Sequence, residues 1–143
     1  MKLKLLLPFL FVIYSCAQDS SIDRDDLIEK AGAPLLNGLG SHSFTISSKV
    51  EGVQDYFNQG LIMAFAFNHA ESIRSFKAAQ KLDPNCAICF WGEALALGPN
   101  INVTSDGKAI MSPQERLDAF ERTNKAIALI ELASPKEKDF ILT

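Results

Sequence analysis

VQDYFNQGLIMAFAFNHAESIRSFKAAQKLDPN, residues 53–85, decides the fold. Its apolar positions Val53, Tyr56, Phe57, Gly60, Met63, Ala64 and Phe67 recur in steps of three and four, which draws one continuous face on a helix. Asn68 can end that helix and cap the next, with Glu71 three residues on. A second stripe follows at Ala70, Ile73, Phe76, Ala79 and Leu82, and Asp83-Pro84-Asn85 breaks the chain. Two helices joined by so short a turn must fold back on each other as an antiparallel pair.

The same grammar extends outward. Ser48-Lys49-Val50-Glu51 has the pattern of a capping box and is expected to start the first of these helices. A third helix is predicted from about Cys86 to Leu97, stopped by Gly98-Pro99-Asn100 because Pro99 cannot donate and restricts the residue before it. A loop of about a dozen residues follows, with turn residues at Asp106 and Gly107. Ser112-Pro113-Gln114-Glu115 opens a fourth helix with proline at its favoured first position. Leu117, Phe120, Ile127 and Ile130 are expected to form its inner face. Ser134-Pro135-Lys136-Glu137 repeats the start signal for a fifth helix, which is short when the sequence stops at Thr143. The reading expects a truncated stack that continues beyond this point. Strand signals are nearly absent, so the fold class is all-α.

Tyr56, Gly60, Ser72, Phe76, Ala79 and Pro84 stand where the tetratricopeptide-repeat (TPR) family places an early aromatic, a close-packing glycine, a small residue, an aromatic, an alanine and a closing proline. The segment resembles one such repeat. Small residues let helices approach, aromatics fill the gaps, and proline ends the unit. Phe90 and Ala94 begin a second unit in register, before the inserted loop at 98–111. The resemblance implies antiparallel helix pairs stacked as a superhelix, with a groove for a protein or peptide. Stretches 55–68 and 83–102 also look like exported bacterial repeat proteins of unassigned activity.

The N-terminus carries an address. Lys2 and Lys4 precede an apolar run from Leu5 to Ile13, too short to span a bilayer but suited to a signal peptide. Ile13-Tyr14-Ser15-Cys16 resembles the lipobox of bacterial lipoproteins, which implies cleavage after residue 15 and a lipid on Cys16. Cleavage without a lipid is the alternative. Residues 16–47 are expected to be a polar tether and loop, acidic at Asp19, Asp23, Asp25 and Asp26, with one short helix near 27–31. Residues 48–143 form the expected helical domain. The expected location is the bacterial cell envelope, lipid-anchored, periplasmic or at the cell surface.

Composition narrows the function. Of 143 residues, 48% are apolar and 22% charged, with a formal net charge of -3, which suits a folded domain with a core. No block of Lys and Arg marks a phosphate-binding surface, which argues against nucleic acid. No glycine-rich phosphate loop or nucleophile elbow is present, so no enzyme activity is expected.

Cys86-Ala87-Ile88-Cys89 is the sharpest chemical feature. Its spacing puts both sulfurs on one side of a first helical turn, open to a disulfide, two thiols, a redox pair or half of a metal site. Phe90 stands where covalent haem attachment needs His, which excludes c-type haem. His69 starts the helix before the cysteines, about 20 Å away at 1.5 Å per residue, and cannot join them. His42 is the remaining partner for a metal, with Asp83 as a further candidate ligand. Phe65, Phe67, Phe76, Phe90 and Trp91 are expected in the core, and Glu93 is either a buried carboxylate or faces lysine or solvent. Asn100 and Asn102 lie in the inserted loop as ligand candidates or plain connector; Asn102-Val103-Thr104 matches a glycan acceptor pattern of no weight in a bacterial chain.

The leading expectation is therefore a lipid-anchored scaffold that binds a protein or peptide in a groove drawn from the first helices, with Asn58, Gln59 and Ile62 as candidates. No cofactor is expected. The alternative is a metal-binding or redox-active exported protein using Cys86, Cys89 and His42, and a third reading is nutrient capture at the cell surface.

Overall fold

The computed structural model describes residues 23–100, 102, 104, 105 and 108–143. The expected signal segment 1–15 and Cys16 lie outside the described residues. Helices run in the order α1 (Arg24–Ala31), α2 (Val53–Phe65), α3 (His69–Leu82), α4 (Ala87–Leu97), α5 (Pro113–Ala128) and α6 (Pro135–Ile141). Between α4 and α5 the backbone pairs Thr104 with Ala109 and Ser105 with Lys108. A single 3-10 turn, Ile130–Leu132, leads into α6. The fold class is all-α. No helix among the described residues is long and apolar enough to cross a membrane.

Helix starts follow local chemistry. Asn68 accepts the Glu71 amide at 3.3 Å, and Ser112/Glu115 and Ser134/Glu137 each close a capping box with proline behind the cap. These bonds satisfy amides that no helical turn can reach. Neighbouring helices are antiparallel. Ser72 donates to the Gly60 carbonyl and Gln59 to Ser75, so α2 descends as α3 rises. His69 meets Ala96 while Gln80 meets Cys89, which sets α3 against α4 in the same sense. Arg122 against Glu93 and Lys125 over Phe90 do so for α4 and α5.

Phe76 is the wedge at the centre. Its ring is fully buried and lies between two glycines: a Cβ at Gly60 would sit 2.9 Å from it, and one at Gly92 2.3 Å. Absence of both side chains is what lets α2, α3 and α4 close on one aromatic, which contributes about 1.5–3 kcal/mol by burial alone. Gly60 was expected in this role; Gly92 was not singled out.

Four expectations change. Of the expected tether and loop at 16–47, the short helix near 27–31 is present within α1 and residues 33–47 hold no helix or strand, but Leu27, Ala31, Ala33 and Ile46 pack into the core rather than standing off it. Leu27 packs so closely over Gly52 that a Cβ there would lie 2.3 Å from its methyl. The capping box at Ser48 does not form: the Ser48 hydroxyl accepts from the Val50 amide at 3.3 Å and donates to Asp83, 2.5 Å away, and Gly52 in a left-handed conformation is the N-cap of α2.

The third change concerns α5, whose expected inner residues Leu117, Phe120 and Ile127 are exposed while Ala126 is buried. α5 turns Ala126 toward α4 and its larger apolar residues outward, with Arg122 lying 3.9 Å from the buried Glu93 carboxylate. Ile130 alone of that set packs on the core, in part. Lastly, Phe76 and Phe90 are buried and Trp91 half-buried, but Phe65 is 73% and Phe67 51% exposed. They lie at the end of α2 and in the turn after it, bordering an open cavity with Ala94, Leu95 and Pro99.

Candidate functional site

The face formed by α2, α4 and α6 carries an arm of the chain itself, residues 33–47, in which two short extended pieces, 34–36 and 44–46, are joined through bends at Asn37 and Ser41 and left-handed Gly38 and Gly40. Polar side chains of α2 hold its backbone at regular intervals. Gln59 accepts from the Leu36 amide at 2.7 Å and donates to the Pro34 carbonyl at 3.0 Å. Gln54 accepts from the Ile46 amide at 3.0 Å and donates to the Phe44 carbonyl at 2.9 Å. Each glutamine thus clips a carbonyl and the amide two residues on, the pair that one edge of an extended strand presents. One primary amide has the donor and acceptor to satisfy both. Asn58 accepts the Phe44 amide and donates to Ser43, and Tyr56 donates to the Ala33 carbonyl at 2.6 Å.

At the arm's far end, the Ser47 amide donates to Glu137 at 2.9 Å, a contact 90 residues apart in sequence. Glu137 is fully buried yet also closes the cap of α6. Burial pushes its carboxyl up, but hydrogen bonds from the hydroxyl and amide of Ser134 and from Ser47 outweigh that and hold it below the ordinary glutamate value. Tyr56 shifts the other way: burial raises its hydroxyl above 10, against a smaller lowering by Arg24.

Beside the arm lies a 240 Å³ pocket between Phe44, Phe57, Leu61, Phe65, Ile88, Trp91 and Phe140. His42 is the polar side chain among its lining residues. The ring of Phe44 stands edge-on to Phe140 at 5.2 Å and Trp91 meets Phe140 at 5.4 Å, favourable arrangements for aromatic quadrupoles. Lys136 caps the Phe44 ring from 4.2 Å. Sequence reasoning named Trp91 and Phe65 only as core and did not see the pocket, because its walls come from four separate segments.

Asn58 and Gln59, the groove candidates, are engaged by the arm. Ile62 lines a second, 370 Å³ cavity between the arm and α2, together with both of them.

Cys86 and Cys89 are bonded to each other and buried at the start of α4. That disulfide is one of the outcomes their spacing left open. Asp83 borders Cys86, but its two oxygens accept from Ser48 and from the Asn85 amide. His42 lies at the aromatic pocket and is not among the residues around Cys86. Among the described residues no three His, Cys, Asp or Glu side chains form a group able to hold a metal, so the expected His42–Cys86–Cys89 cluster is not assembled.

His69 bonds the Ala96 carbonyl at 2.8 Å, in the last turn of α4 and at the opposite end from the cysteines. Glu93 is 2% exposed and is met by Gln80 at 2.7 Å, Lys77 at 3.6 Å and Arg122 at 3.9 Å, so it joins three helices rather than facing solvent. Asn100 accepts the Asn102 amide and shapes its own turn.

Searches of protein-family models, curated proteins and solved structures found no match to this chain.

Proposed function

We propose that this protein is a lipid-anchored interaction scaffold of the bacterial cell envelope, exported by residues 1–15 and tethered through Cys16, with no catalytic role. In this reading α2/α3 and α4/α5 are stacked TPR-like pairs and α6 opens a third, so α2, α4 and α6 line one groove. Tyr56 and Phe90 are 34 positions apart in the sequence, and the approach of Gly60 to Ser72 and Phe76 supports the repeat. The groove binds an extended segment of a partner protein.

The observation that carries this is the arm: Gln54, Asn58 and Gln59 already hold an extended backbone on this face. Main-chain hydrogen bonds supply affinity and side-chain pockets supply selectivity in such recognition. A random peptide library displayed on phage and selected against the purified chain tests it. Reproducible enrichment of a common pattern is expected, and its loss on changing Trp91 or Phe140. Selection that yields no shared pattern in repeated trials refutes the scaffold reading. Fatty-acid labelling lost in Cys16→Ser tests the anchor.

A further inference from the structure

Resting on that reading, we propose that the aromatic pocket is its specificity subsite, and that it takes an uncharged aromatic side chain from an extended segment of the partner polypeptide. Volume sets the size of the group. At 240 Å³ the pocket exceeds the roughly 150 Å³ that suffices for benzene. It falls below the ~300 Å³ at which sites for drug-sized molecules begin. One ring with its methylene fits that window.

Wall chemistry sets the character. Phe57, Leu61, Ile88 and Trp91 offer carbon, and none of the lining residues is acidic or a lysine or arginine. His42 is the polar side chain of that lining and Lys136 lies over the Phe44 ring, but a charged side chain entering would still exchange most of its hydration for carbon. Its mouth is aromatic, with Phe65 73% exposed and Phe140 39% exposed, which gives an incoming ring edge and face contacts.

The arm shows the mode of entry. Phe44 projects from an extended, glutamine-clipped backbone and its ring packs against Phe57 and Phe140. Phe44, Phe57 and Phe140 themselves line the pocket, so a second extended segment lying beside the arm would place its own ring against theirs.

Trp91 is the chain's single tryptophan and lines the pocket, so its fluorescence reports occupancy. Titration with acetyl-Ala-Phe-Ala-amide is expected to change the emission along a saturable curve with a dissociation constant of about 1 mM, modest because one side chain is engaged. The acetyl-Ala-Asp-Ala-amide control is expected to leave it unchanged. Phe65→Ser, at an exposed position, should keep the melting temperature and weaken binding about tenfold.

A linear response, an equal response to both peptides, or full affinity in Phe65→Ser overturns the inference. The two proposals fail separately. Selected library peptides that bind Phe65→Ser undiminished keep the scaffold and sink the subsite. Saturable Phe-peptide binding with no library enrichment does the reverse.

Discussion

Gly92→Ala is a one-carbon test of how the helices close. In an open helix the change stabilises, since alanine is favoured over glycine by about 1 kcal/mol. Here the new Cβ would lie 2.3 Å from one Phe76 ring carbon and 2.6 Å from two others. Gly60 crowds the same ring carbons, since a Cβ there would be 2.9 Å away, so the ring has little room to shift. Overpacking of a closed core costs about 1–3 kcal/mol, and with so little relief the upper end applies. Subtracting the propensity gain leaves a net loss of about 2 kcal/mol. For a domain of this size that lowers the melting temperature by about 8 °C. Thermal unfolding followed by far-ultraviolet circular dichroism measures it. Phe76→Leu in the Gly92→Ala background removes the clashing carbons, so the two changes should couple by about 1 kcal/mol or more in a double-mutant cycle. An unchanged or raised melting temperature in Gly92→Ala would refute the wedge.

Other outcomes follow from the arm and the disulfide. Glu137→Gln should destabilise by about 2 kcal/mol at neutral pH, since charge-assisted bonds to Ser47 and Ser134 weaken. Because the folded carboxyl is held below its unfolded value, this stability is present above the unfolded value and lost as pH falls through the folded one. Urea midpoints of wild type and variant should therefore converge in acid; a gap constant with pH would be inconsistent. Tyr56→Phe leaves the Ala33 carbonyl without its donor and should cost about 1–2 kcal/mol. The raised Tyr56 value means its contribution is complete below the unfolded tyrosine value and fades as pH rises toward the folded one, readable as a late step in an ultraviolet phenolate titration. Reduction of Cys86–Cys89 should lower stability by only about 1.7 kcal/mol, because the loop it closes is so short; loss of all helical signal on reduction would show a larger role.

What the sequence made legible is what acts within four residues. Asn68 with Glu71, Ser112 with Glu115 and Ser134 with Glu137 are self-contained, so their helices start where expected. Ser48 carries the same signal but its hydroxyl finds Asp83, 35 residues on, and no local rule anticipates that. The inner face of α5 was also misread. The helix buries the small Ala126 and leaves Leu117, Phe120 and Ile127 exposed, whereas hydrophobic periodicity ranks the larger side chains as the inner face. Residues 33–47 have no period at all, because side-chain amides rather than a strand or helix satisfy their backbone. Of the site, Asn58 and Gln59 were singled out as groove candidates, but their bonds to residues 34–44 were not anticipated, and the pocket walls had no sequence signal.

The arm changes where a partner can bind. At least seven hydrogen bonds fix the arm between Ala33 and Ser47, and Ala33 and Ile46 are buried with it. Each bond contributes about 1 kcal/mol net. As part of the same chain the arm also competes at an effective concentration of about millimolar. A free segment offering only the same backbone contacts, at micromolar concentration, would lose to it by about a thousandfold. Displacement of the arm is thus the poorer route for any partner. The arm is better understood as a wall of the site: it supplies Phe44 and His42 to the aromatic pocket, so loosening it should weaken ligand binding rather than free the groove. Asn58→Ala, which removes the bond to the Phe44 amide and the one to Ser43, separates the two views. If the arm were a competitor this variant would bind aromatic peptides more tightly; as a wall, it binds them less.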